Sequence, residues 1–204
     1  MIRIYFIGIA GGSCSGKTTL ARLLGQRLGV RNVACVAIDS YYRGLPSNTP
    51  ENIDRYNFDD PEALDHPLLL RHLRDLAGGV AVDVPVYDFT RHARTGRTER
   101  VDPVPYVIVE GLFSLYWEPV RSVMNAKVFI EVPHDVCLER RLRRDTVERG
   151  RPREEVIRRY NEMARPTYDA HVLPSKRYAD VVVDGERPIE EAVSSVMRHI
   201  EANG

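Results

Sequence analysis

Gly11-Gly12-Ser13-Cys14-Ser15-Gly16-Lys17-Thr18 matches G-x-x-x-x-G-K-[ST] at every fixed position. The glycines let successive backbone N–H groups curl around a phosphate, and the helix expected next adds unpaired donors and a partial positive charge. Lys17 would reach the β- and γ-phosphates, the Thr18 hydroxyl would hold Mg²⁺, and Thr19 shares that first helical turn. A glycine-rich turn can match this pattern by accident; a strand before it and a helix after it give the match its meaning.

Phosphoryl transfer is mostly positioning plus charge stabilisation, so such a loop needs a second acid for the metal and a base for the acceptor's proton. Asp39 and Glu110 each follow an apolar strand of the same expected sheet, on the edge where ligands bind. A helix N-cap or turn is the ordinary use of an acid there. The third group is basic. Ten arginines lie between Arg140 and Arg165, a span of 26 residues with five acids. Such a run usually marks a solvated helix face, but Arg149-Gly150-Arg151-Pro152 breaks it with a turn and makes an arginine-bearing flap. Arginines on a closing lid can neutralise a transferring phosphoryl group.

The elements that must carry these residues alternate. Strands are expected at Arg3–Ile9, Val33–Ile38, Tyr106–Val109, Val128–Val132 and Asp180–Val183, as continuous apolar runs suited to a sheet covered on both faces. Helical periodicity covers Thr18–Leu28, with Leu20, Leu23, Leu24 and Leu28 on one face, and then Pro67–Leu76, Asp135–Glu148, Arg153–Ala164 and Ile189–Ile200. This alternation predicts an α/β three-layer sandwich around a central, mainly parallel five-stranded sheet. Between Tyr41 and Asp60 runs a turn-rich stretch (Pro46, Asn48, Pro50, Asn52, Asp54, Asn57), long for a structureless connection. Val80–Val86 followed by Asp88–Arg100 reads as a small β-hairpin excursion beside it.

With 204 residues the chain is expected to form one domain, 1–204, with an insertion at about 41–104 and a lid at about 141–160. Lys+Arg and Asp+Glu both number 29, so no global field draws the protein to nucleic acid or to an anionic membrane, and any anion site must be local. Three scattered cysteines form neither a metal-ligand pattern nor a closed disulfide framework, which points to the cytoplasm. Cys35 and Cys137 read as core residues. Cys14, beside Lys17 at a helix start, is expected to be sensitive to oxidation. No signal-peptide pattern or membrane-length apolar run is present.

In its ordered motifs the chain resembles the uridine/cytidine kinase family of nucleoside kinases, from about Tyr5 to Val183. Gly8–Thr19 is similar to that family's phosphate-binding loop, and Asp39-Ser40-Tyr41-Tyr42 to its Asp-Ser-Phe-Tyr. Asn57-Phe58-Asp59-Asp60-Pro61, Pro85-Val86-Tyr87-Asp88-Phe89 with His92, and Val109-Glu110-Gly111 continue the series. Arg144-Asp145 through Glu148-Arg149-Gly150-Arg151 and Pro174–Asp180 complete it. The resemblance implies a P-loop kinase fold with an acceptor-site hairpin and a helical lid. It also implies transfer of a phosphoryl group from ATP or GTP, with Mg²⁺, to the 5′-hydroxyl of a pyrimidine ribonucleoside. Carried over residue by residue, Asp39 would be the base, and Thr18 with Glu110 would hold Mg²⁺. Asp59 and Arg141 would grip the ribose hydroxyls; Tyr87, His92 and Arg151 would face the base; Arg144 and Arg149 would close on the phosphates. Family members are often tetramers.

Three positions depart from the pattern: Asp60 stands for a usual His, Asp184 for a Pro or Arg, and Arg159, just before Tyr160, for a usual Gln. A guanidinium only donates, so Arg159 points to solvent, contacts a ribose hydroxyl, or favours a more anionic acceptor. A kinase of another small hydroxyl compound therefore stays open as a second reading. A guanine-specific switch would carry Asn-Lys-x-Asp, and none of Lys17, Lys127 and Lys176 follows an Asn.

Overall fold

A computed structural model describes residues 3–45 and 49–203. In chain order it runs β1 (Tyr5–Gly11), α1 (Lys17–Leu28), β2 (Val33–Ala37), a 3₁₀ turn (Ile38–Tyr41), α2 (Pro50–Arg55), α3 (His66–Ala77), β3 (Val82–Asp88), β4 (Ala93–Val101) and β5 (Tyr106–Glu110). It continues with α4 (Glu118–Arg121), β6 (Ala126–Glu131), α5 (His134–Val147), α6 (Arg153–Arg159), α7 (Arg165–Thr167), β7 (Val181–Asp184) and α8 (Ile189–Asn203).

Five strands form one sheet in the order β2-β5-β1-β6-β7, every pairing parallel. The period-two alternation of the strands divides the core. Phe6, Ala10, Val36, Val107, Val109 and Phe129 face a layer that includes Leu69, Leu73 and Leu76 of α3. Ile7, Ile9, Ile108, Val128 and Ile130 face Leu20 and Leu24 of α1 and Val193, Val196 and Ile200 of α8. Helices on both faces of a parallel sheet are the expected sandwich. Gly185 closes its far edge so tightly that an added Cβ would fall against Val132 and lie 2.9 Å from Ile130 Cγ2.

The hairpin is present as an antiparallel β3–β4 pair, with a register shift between Pro85 and Tyr87. Such a bulge re-aims the residues after it; Tyr87 is turned inward, 8% exposed.

Several boundaries differ from expectation. β1 starts and ends two residues later than Arg3–Ile9, because Ala10 and Gly11 still pair with Phe129 and Ile130. Asp39 lies in the 3₁₀ turn rather than directly on a strand end. The turn-rich stretch contains α2, and its Pro46 and Asn48 lie outside the described residues. The helix expected to stop at Ala164 passes Pro166 without a break. Wide π-turns at Tyr160–Ala164 and Tyr168–Val172 flank α7, and Arg165 N–H bonds back to Tyr160 O. That i→i+5 bond shifts the ladder where a proline would otherwise clash. Cys35, expected in the core, is exposed: β2 is an edge strand, and the helix layer that buries Ile108 across the ladder leaves Cys35 open. Cys137 is buried as expected.

Gly185→Ala should overpack this edge and lower stability by about 1–3 kcal/mol. Urea unfolding should show a lower midpoint at unchanged slope; an unchanged midpoint would mean that the 184–186 turn yields freely.

Candidate active site

The loop between β1 and α1 leaves the sheet at its C-terminal edge. Gly11 (φ +147°) and Gly16 (φ +102°) take backbone angles that side chains disfavour, and Cys14 takes φ +61°. A Cβ on Gly11 would sit 2.6 Å from Ile130 O, so only glycine fits against β6. Lys17 is 7% exposed and folds its ammonium back into the loop, donating to Gly12 O at 2.6 Å. Thr18 Oγ1 donates to Glu110 Oε1 at 3.0 Å. Glu110 reaches that point because it is the last residue of β5, in register with Ile9 of β1 and Ala37 of β2.

A cavity of about 270 Å³ opens over this loop, lined by Ser13, Cys14, Gly16, Lys17, Thr18 and Thr19 together with Glu110. Gly11, Gly12 and Ser15 stand behind it: Gly11 ends the strand, and Ser15 is 2% exposed. A second, narrower cavity of about 80 Å³ lies alongside. It brings together Asp59, Tyr87, His92, Arg141, Arg149, Arg151 and Arg159, which are spread over four stretches of the sequence. Ser13, Asp39, Leu112 and Arg144 line both cavities, so Asp39 and Arg144 stand in the wall between them.

The electrostatics differ across that wall. Burial, then the neighbouring Glu110 charge, pushes the Asp39 carboxyl up to about 6, while Lys17 and Arg144 pull the other way. Asp39 therefore ionises within about a unit of neutrality, where a carboxylate can accept a proton efficiently. His92 is held below its ordinary range by burial and by Arg151, Arg159 and Arg149. It stays neutral near pH 7, with one ring nitrogen donating and the other accepting. His92 stacks on Phe58 with centroids 4.5 Å apart. The buried Tyr87 hydroxyl has no hydrogen-bond partner among the described residues, and burial pushes its pKa up to about 12, so it remains a donor.

Sequence reasoning assigned no role to Asp145. This carboxylate is 1% exposed and gathers three arginines: Arg144 Nε at 2.8 Å, Arg149 Nη1 at 3.4 Å and Arg141 Nε at 3.6 Å. Its position four residues after Arg141 on the same expected helix was the available signal, since such pairs meet on a helix face. The aromatic lining from Tyr42, Phe58 and Phe89 was also missed. It comes from three separate segments whose convergence no local pattern shows.

Arg159 does not point to solvent. It is 5% exposed, and it donates to the carbonyls of Ile53, Asp54 and Tyr56. The other two departures cap turns: Asp60 Oδ1 accepts from Glu62 N–H and Asp184 Oδ1 from Glu186 N–H.

A family model described as the phosphoribulokinase / uridine kinase family matches residues 6–189. The chain belongs to this family. It is 43% identical over 196 residues to a uridine kinase of Chloroflexus aurantiacus, covering 96% of this chain and 94% of that protein. A uridine kinase of Deinococcus deserti is 45% identical over 185 residues, covering 89% of this chain and 88% of the relative. Phosphoribulokinase from Rhodobacter spheroides superposes with a TM-score of 0.64 at 18% identity, over 93% of this chain and 75% of that one. That last likeness speaks to the fold, which is a P-loop kinase fold.

Removing a charge that anchors buried guanidinium groups leaves them uncompensated. Asp145→Asn should lower stability by about 3 kcal/mol. Denaturant unfolding checks this; a loss below about 1 kcal/mol would show that the arginines are held without Asp145.

Proposed function

We propose that this protein transfers the γ-phosphoryl group of ATP or GTP to the 5′-hydroxyl of uridine or cytidine, a step of pyrimidine salvage. The observation that carries the reading is the shared wall. Asp39 and Arg144 face both a phosphate-binding loop and a cavity with aromatic, carboxylate and guanidinium walls, so donor and acceptor can meet across them. Relatives matched over nearly their whole length are uridine kinases, which favours a pyrimidine nucleoside as the acceptor.

In this mechanism the loop N–H groups and Lys17 hold the triphosphate. Thr18 Oγ1 and Glu110, 3.0 Å apart, offer two hard oxygens of the kind Mg²⁺ takes alongside phosphates and water. When bound there, Mg²⁺ would neutralise developing charge on the phosphates. Asp59, paired with Arg141 at 3.4 Å, forms a carboxylate–guanidinium fork suited to a vicinal diol. Tyr87, His92 and Arg151 present hydrogen-bonding groups to the base edge. Asp39 accepts the 5′-hydroxyl proton, and Arg144 and Arg149 stabilise the transferring group.

The narrow acceptor cavity is smaller than ordinary ligand sites of about 300–1,000 Å³, which supports outward movement of the lid at about 141–160. Arg159 had kept a more anionic acceptor open; three of its N–H contacts go to backbone carbonyls, which weakens that reading. The three free cysteines fit a reducing cytoplasm.

The test is a coupled ADP-release assay with MgATP and uridine, cytidine, adenosine, nicotinamide riboside, pantothenate and ribulose 5-phosphate. Uridine or cytidine should be preferred; preference for any other acceptor sinks the assignment. Asp39→Asn should reduce kcat about a thousandfold while leaving MgATP affinity close to wild type. Wild-type kcat in that variant would remove Asp39 from the base role.

A further inference from the structure

The acceptor cavity has one wall whose position is not set by the sheet. Phe58 and Asp59 follow α2, a six-residue helix. A helix this short is marginal on its own, and its last carbonyls have no partners within it. Arg159 supplies them from α6. Its Nη1 donates to Ile53 O at 3.0 Å and Asp54 O at 3.2 Å, and its Nη2 donates to Tyr56 O at 3.1 Å. Two further ties lie alongside: Arg158 pairs with Asp54, and Asn57 Nδ2 donates to Thr167 Oγ1 at 3.1 Å. The next two residues are the ones that reach the cavity. Phe58 stacks on His92, with the Arg159 guanidinium 5.8 Å from its ring centroid, and Asp59 meets Arg141.

We propose that Arg159 is a positioning residue for the acceptor. It fixes Phe58 and Asp59 by capping the end of α2 and makes no bond to the acceptor itself. Three of its five N–H donors are committed to backbone carbonyls rather than kept for an acceptor. Here a planar fork spans three carbonyls, a geometry that the single ammonium of a lysine or the amide of a glutamine cannot reproduce. A buried cation is costly without partners, and the carbonyl dipoles at a helix end are favourable ones. The fork also fastens the Phe58–Asp59 wall to α6, so that the two would move together during closure of the lid. This inference rests on the proposed acceptor cavity.

The experiment compares the wild-type chain with Arg159→Gln and Arg159→Lys. It measures hydrogen exchange in the free protein and steady-state kinetics with uridine and MgATP. The amides of Ile53, Tyr56 and Asp59, hydrogen-bonded in the structure, should exchange about tenfold faster in Arg159→Gln, with sheet amides unchanged. KM for uridine should rise about tenfold, with kcat within about threefold and KM for MgATP unaltered; Arg159→Lys should recover part of both effects. Unchanged exchange at these amides in both variants would overturn the capping role. Faster exchange with wild-type KM for the acceptor would overturn the link to the cavity. If the wild type prefers another acceptor of the panel, the uridine assignment fails on its own. Exchange in the free protein, and KM for that acceptor, then still decide the role of Arg159.

Discussion

The register that sets Glu110 of β5 beside Ile9 of β1 and Ala37 of β2 governs the whole site. Side chains alternate across a strand, so a slip of one residue would turn Glu110 into the core and point Val109 at the loop. A carboxylate so displaced would be buried without a partner, while in the observed register it accepts from Thr18 at 3.0 Å. The same edge releases β1 into the phosphate loop and β2 into the turn that carries Asp39. Three strands ending together thus deliver the loop, a candidate acid for the metal and the candidate base within one small region. The covering helix layers hold that register by burying both faces of β1 almost completely.

Charge is arranged against this edge with little waste. The chain as a whole is neutral, yet among the described residues five arginines line the acceptor cavity with only Asp39 and Asp59 for opposite charge. Asp145 offsets part of the excess from behind, where it is shielded from ligand and solvent. The result is a local positive field that suits a polyanionic donor and a transferring phosphoryl group without making the rest of the surface basic. Asp39 feels both sides of the arrangement. Burial and Glu110 raise its affinity for a proton, and Lys17 and Arg144 lower it.

The parts of this design that depend on local pattern were legible in the sequence. The loop motif, the apolar strands and the β3–β4 hairpin each reflect short-range periodicity or turn chemistry; Glu110 and the arginine turn stand where that pattern puts them, and Asp39 stands one short turn beyond its strand. The parts that depend on convergence were not. Phe58, Phe89 and Tyr42 meet only after α2 and the hairpin have packed together. The continuation of the helix through Pro166 rests on a π-turn, a ladder shift that no residue type announces. Cys35 was misplaced because a strand's own sequence does not say whether it will lie at the sheet edge. Arg159 shows the converse: its departure from a resembling pattern was visible, but its partners, backbone carbonyls about a hundred residues away, were not.

A kinase must also keep its donor from water, and the two cavities bear on that demand. On the proposed reading, the base stands in the wall between them, where either water or a hydroxyl could present a proton to it. Selection of the hydroxyl then falls to the acceptor side: the diol fork of Asp59 and Arg141 and the stacked Phe58–His92 wall hold a nucleoside in line, whereas a water molecule finds no comparable set of contacts. Arg144 sits on Asp145 in α5, and Arg141 of the same helix grips Asp59. On the proposed reading, acceptor binding and phosphate stabilisation would therefore be carried on one helix. On that reading the helix fixes the two sides against each other: Asp59 and Arg141 are already paired at 3.4 Å, so an acceptor seated on their fork would stand at a set place relative to Arg144.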